Sequence, residues 1–157
     1  MNPIHARTLR DLFAHQQVAA LGTLHEGQPL VSMVPFAVLP ERSDLVIHVS
    51  QLAAHTRDML ANPAVSVMVM ASPSAETPPQ ALARASIQGR ATRYDESDPG
   101  YPAAKAAYLR RFPTSLEMFG FSDFSLVRIE AVSVRFVGGF AQATTLTAEA
   151  FSDVLRG

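Results

Sequence analysis

The sequence predicts a small antiparallel β-barrel with peripheral helices, an α+β chain that is mainly β. Six strand-like runs follow one another through Gly/Pro turns with few long crossovers. One of them, Leu30 to Leu39, is apolar on both faces, which suits a barrel wall with a partner subunit or a ligand against its outside. Another, Ser125 to Val137, changes the phase of its alternation midway, as a strand does where it bends around a barrel corner.

The elements follow in order. Ile4, Leu9, Leu12 and Phe13 recur at helical spacing over Ile4 to His15. Val18 to Leu24 reads as a strand, and His25 to Gln28 as a turn with Gly27 left-handed. Leu30 to Leu39 comes next, with Pro35 forcing a bulge or an edge position, and Leu45 to Val49 completes an expected three-strand meander. Leu52 to Asn62 is helical and stops at Pro63. Ala64 to Met70 is the fourth strand, and residues 71–80 form an exposed Pro/Ser-rich loop. The fifth strand, Leu82 to Arg93, sets Arg84, Ser86, Gln88 and Arg90 on one face and small residues on the other. Tyr101 to Phe112 is helical, with a shorter helix at Ser115 to Phe119. Ser125 to Val137 is the last strand, and Ala148 to Leu155 a C-terminal helix.

Composition bounds the function. A chain of 157 residues is one domain, 1–157, long enough to bury its own core, and 48% hydrophobic residues exclude disorder. Charged residues make up only 17%, against roughly 25% in an average soluble protein, which points to surface hidden in a homodimer interface. Net charge is −1 and the basic residues are scattered, so no nucleic-acid partner is expected. Without cysteine there is no disulfide scaffold, zinc ribbon or thiol catalysis, and no metal site is expected from the five histidines. No apolar run nears the roughly 20 residues of a membrane span, and the N-terminus does not read as a signal peptide. The expectation is a cytoplasmic protein with no membrane partner.

Chemistry concentrates in one segment, His48 to Asp58. A strand ends near Ser50 and a helix begins at once, so free first-turn amides and the helix dipole can attract an anion. Ser50, Thr56 and Arg57 add hydroxyl and guanidinium donors. The plainer alternative makes Ser50 a helix cap and Arg57 a solvated charge. The polar face of the fifth strand is likewise either solvent-exposed or the wall of a ligand groove. Methionines 33, 68 and 70 read as core filler, and His5, His15 and His25 as surface residues.

In order along the chain, AALGTL (19–24), PLVSMVPFA (29–37), HTRDMLANPAVSVMV (55–69), RASIQGRA (84–91) and DFSLVRIEAVSVRFVGGFAQA (123–143) resemble the FMN-binding split-barrel superfamily, the pyridoxamine-phosphate-oxidase-like proteins. The likeness is to the branch related to the haem-utilisation protein HugZ. It implies a six-stranded antiparallel split β-barrel, homodimeric, with FMN at the subunit interface. Thr56 and Arg57 match the family's phosphate-binding residues, with Ser50 and His55 beside them. Ser32, Met33 and Val34 match the segment facing the flavin ring, and Arg84 and Gln88 lie on the strand lining the cofactor. Two features depart from the branch: Asp58 replaces a usual Asn, and Ala141-Gln142 replaces Gly-Arg; with Gly157 the last residue read, the expectation is that the C-terminal domain of haem-degrading relatives is missing. The implied function is an FMN-dependent oxidoreductase acting on a small-molecule substrate, the flavin carrying the electron chemistry. The alternatives are a haem-binding or haem-utilisation protein, to which His48 and His55 are open, and a cofactor-free dimer.

Overall fold

Asn2 starts the first helix: its side-chain oxygen accepts the His5 amide at 2.8 Å, and Pro3 fits the first turn. In the computed structural model, which describes all 157 residues, α1 runs Pro3–His15 and buries Leu9, Leu12 and Phe13. β1 (Val18–His25) and β2 (Gln28–Pro35) form a hairpin, with Glu26 (φ 50°) and Gly27 (φ 78°) left-handed in the turn. β3 (Ala37–Val38), β4 (Leu45–Ser50), α2 (Ala54–Ala61), β5 (Ala64–Met70) and β6 (Arg84–Arg93) follow. Then come α3 (Tyr101–Arg111), a 3₁₀ segment (Pro113–Gly120), β7 (Phe124–Val137), β8 (Ala143–Thr147) and α4 (Ala148–Arg156).

The expected meander forms, but its middle strand is broken at Pro35 into two pieces that pair separately. The sheet order is β2-β1-β5-β6-β7-β4-β3, with β8 also on β7, so β2 and β4 are not paired neighbours. The cause is Pro35. It cannot donate to the ladder, and the next amide, Phe36, bonds the Gln17 carbonyl at 3.1 Å instead. The extended segment 28–38 therefore serves two edges, pairing with β1 before the break and with β4 after it. That curls the sheet into a half-barrel. Eight strands replace the expected six because β3 counts separately and β8 carries too little apolar pattern to be recognised.

The phase change in β7 is a bulge. Gln88 pairs with Ser133 but Gly89 with Ala131, leaving Val132 unpaired and 59% exposed, not buried with Val134 and Phe136 as the alternation suggested. Gly89 is required there, since a Cβ would lie 2.8 Å from the Glu130 carbonyl oxygen. Ala141, where the related branch has Gly, sits at φ 56° and carries the strain glycine would avoid.

The main core joins the barrel interior to α1 and α4, where Phe13 meets Phe36 and Phe151 edge-on. A smaller core lies outside the barrel, where α3 sets Ala104 and Tyr108 on Ala37, Val46 and Leu126. On the opposite half of the sheet the outer face is bare: Val31 is 69% and Met33 63% exposed. The first half of Leu30 to Leu39 is thus covered on one side only in the protomer, while Phe36 and Ala37 are covered on both. No helix is long and apolar enough to cross a membrane.

Candidate functional site

Ser50 does not cap α2. Its hydroxyl donates to Asp123 Oδ2 at 2.8 Å and accepts the Leu52 amide at 3.1 Å, making a turn that delays the helix to Ala54. The residue before it, Ala53, offers no capping side chain, so the first-turn amides have no side-chain acceptor. Thr56 stands in that first turn, 3% exposed, with an Oγ1 that has no hydrogen-bond partner. It borders a cavity of about 240 Å³ together with Gln51, Arg93 and Ser125. Arg57 is exposed and makes no ion pair or hydrogen bond. The orphaned hydroxyl and the uncapped amides thus form a niche at the start of α2, and Arg57, next in the chain, is exposed outside the cavity's lining.

The other face of α2 lies over β1 and β2. His55 Nδ1 and Ser32 Oγ share a hydrogen bond at 3.1 Å, and burial lowers the imidazole's pKa against the opposing pull of Asp58. His55 is therefore neutral near pH 7, with its other ring nitrogen unbonded. One turn on, buried Asp58 accepts from Thr23 Oγ1 at 3.0 Å and pairs with His25 Nδ1 at 2.8 Å. Burial raises the Asp58 carboxyl, but the bonds from His25 and Thr23 prevail and hold it below its usual value. This Thr23–Asp58–His25 cluster escaped the sequence reading, although the i, i+3 spacing of His55 and Asp58 puts both on one helix face.

The remaining predicted residues scatter. Val34 is buried in the core, while Met33 and Gln88 face outward, Gln88 Oε1 accepting from Ser133 Oγ at 3.1 Å. Arg84 does not join the α2 niche within one protomer. Six residues separate it from Arg90, which pairs with Ala64 beside α2, a span of about 20 Å. Its guanidinium bonds the carbonyls of Leu82 (2.9 Å) and Gln80 (3.3 Å). His48 does not line the niche either. It stacks on Phe119 at 3.9 Å between centroids, with Tyr108 and Phe124 around it, and burial and Lys105 lower its pKa to about 4.

The pyridoxamine 5′-phosphate oxidase family profile matches residues 6–138. This chain belongs to that family. A non-canonical chloroplast haem oxygenase, HOZ, of Arabidopsis thaliana is 39% identical over 119 residues, 76% of this chain and 35% of that protein. A haem-binding protein of Mycobacterium smegmatis superposes with a TM-score of 0.86 at 33% identity, covering 98% of this chain and 62% of its own. The chain thus spans about a third of the plant protein and under two thirds of the mycobacterial one. HutZ, a haem storage protein of Vibrio cholerae, shares the fold at 21% identity and a TM-score of 0.72, over 80% of this chain and 88% of its own.

Proposed function

We propose that this chain is a haem-handling protein, working as a homodimer on the pyridoxamine 5′-phosphate oxidase scaffold. The observation that carries the reading is at Ser32. There β2 borders an apolar groove of about 490 Å³, walled on its outer face by Val31, Met33, Met68 and Met70, while the Ser32 hydroxyl, on the opposite face of the strand, holds the His55 imidazole. A porphyrin asks for an apolar wall, a nitrogen ligand and donors for its carboxylates. The groove supplies the wall, His55 a neutral nitrogen oriented through Nδ1, and Thr56 with Arg57 the donors. Bound haem would supply the redox chemistry; the chain's residues bind it, orient it and keep water from its face. A second copy over the bare β1–β2–β5 face would close the groove. The likeness to haem-binding and haem oxygenase relatives supports the same reading.

FMN is the second reading, its phosphate in the Thr56–Arg57 niche. Against it, the Ser50 hydroxyl donates to Asp123 inside the chain, and Arg84 turns Nη1 to the Leu82 and Gln80 carbonyls. Titrating the purified protein separately with haemin and FMN separates the two. Haemin is expected to saturate with a Soret band, and His55→Ala to shift that band. Charge-assisted bonds of roughly 1.5–3 kcal/mol mean that Arg57→Ala weakens haemin about tenfold to hundredfold while leaving haem dimethyl ester, which lacks the carboxylates, unchanged. Tight FMN binding without a Soret band would hand the site to the flavin, and binding of neither ligand would leave a cofactor-free dimer.

A further inference from the structure

Met33, Met68 and Met70 are not core filler: they stand 63%, 37% and 39% exposed. They are three of the chain's six methionines, and all three wall one groove. Ala20 of β1 pairs with Met33 on one side and with Met68 on the other. Paired residues share a face of the sheet, so the two thioethers flank a single alanine, their Cα atoms about 10 Å apart. Met70 follows two residues along β5 on that same face. No charged side chain lines the groove. Met59, by contrast, is 5% exposed in the core.

The protomer exposes 8883 Å², against about 7,700 Å² for an ordinary monomer of 17.0 kDa. That excess calls for a cover, and a face without charge is where an apolar one fits. In a two-fold dimer the same patch meets itself, so methionine packs against the groove of the other copy. Leucine would serve such an interface as well as methionine, except that a thioether can be oxidised. Hydrogen peroxide transfers one oxygen to Sγ: the S–O bond forms, the O–O bond breaks, and the departing hydroxide takes the transferred oxygen's proton and leaves as water. The sulfoxide oxygen is a strong acceptor, costly to bury without a donor. Donors are scarce on this face. Ser66, beside Met68, already donates its hydroxyl to the Ile87 carbonyl at 3.1 Å. Of the groove's polar side chains Ser32 is bonded to His55, which leaves Gln16 and Ser72 for three sulfoxides. Across the two-fold, acceptor meets acceptor.

We infer that this face is a peroxide-sensitive switch, which rests on the homodimer proposed above: oxidation of Met33, Met68 and Met70 keeps the two copies apart and leaves the groove open. The thioethers are reached when the copies part, and oxidised protomers do not pair again. Sedimentation velocity of the haem-free full chain, with peptide mass spectrometry, reads the switch. Untreated protein should sediment as a dimer. After hydrogen peroxide each of the three methionines should carry one oxygen and Met59 none. The protein should then run as a 17.0 kDa monomer with unchanged circular dichroism, its pairing weakened at least about a hundredfold. Methionine sulfoxide reductase with a thiol reductant should restore the dimer. A variant combining Met33→Leu, Met68→Leu and Met70→Leu keeps side-chain volume and should pair before and after treatment. Oxidised wild type that stays dimeric, a triple variant that separates as readily, or thioethers that stay reduced would overturn the switch and leave the dimer standing. An untreated wild type that is already monomeric would overturn the dimer itself, and the switch with it.

Discussion

Ala37, Val46 and Leu126 lie under α3 at 2%, 0% and 1% exposure, whereas Val31 and Met33, on the outer face of the opposite half of the sheet, stand 69% and 63% exposed. Both rows are apolar, and both sit on strands whose inner faces fill the same barrel. What differs is the supply of a cover. The chain returns to the first row with Ala104 and Tyr108, and nothing in the protomer returns to the second. Alternation along a strand therefore says that a face is to be covered without saying by what, and the uncovered row is where a second copy would belong.

The strongest way to break this contrast is to charge the covered row. Val46→Asp would bury a carboxylate with no partner at a fully enclosed position, costing at least about 4 kcal/mol out of a typical 5–15. Urea denaturation should find the variant largely unfolded. The equivalent insult to the bare row should act on assembly instead. Met33→Glu should leave the protomer's circular dichroism and melting temperature nearly unchanged and convert the proposed dimer into a 17.0 kDa monomer in sedimentation velocity. A wild type that already sediments as a monomer would refute the second copy.

The smallest effect sharpens the contrast through pH. His48 sits on the covered side, its pKa lowered to about 4 from 6.5. Between those values the unfolded chain binds a proton that the folded one does not, so stability falls as pH drops from about 6.5 towards 4. His48→Phe keeps the stack on Phe119 and should flatten that part of the stability–pH curve. An unchanged slope would mean that His48 is not the group responsible.

Local signals were the readable ones. Pro63 and Pro113 mark helix limits because a proline acts on its own backbone, and the β7 bulge was readable because a change of phase is written along a single strand. Pairings were not. Pro35 shows where the long strand must break, but no local signal says that the other edge of β4 goes to β7. The site divides in the same way. Thr56 and Arg57 belong to one helix turn and could be placed from sequence and resemblance together. The partner of Asp58, by contrast, is a histidine 33 residues away.

The segment shared between two edges also bears on the order of folding. Its first half closes on β1 through the His25–Gln28 turn, and its second half meets β4 through the pair Val38–Leu45. Each is a short loop, of the kind that closes within microseconds. The distant pairing is β4 with β7, Leu45 to Ile129, whose loop-closure entropy must be overcome before its contacts compensate. Residues 18–50 can thus assemble as two hairpins hinged on a common strand, and the barrel waits for its C-terminal half to zip onto an N-terminal one that is already folded.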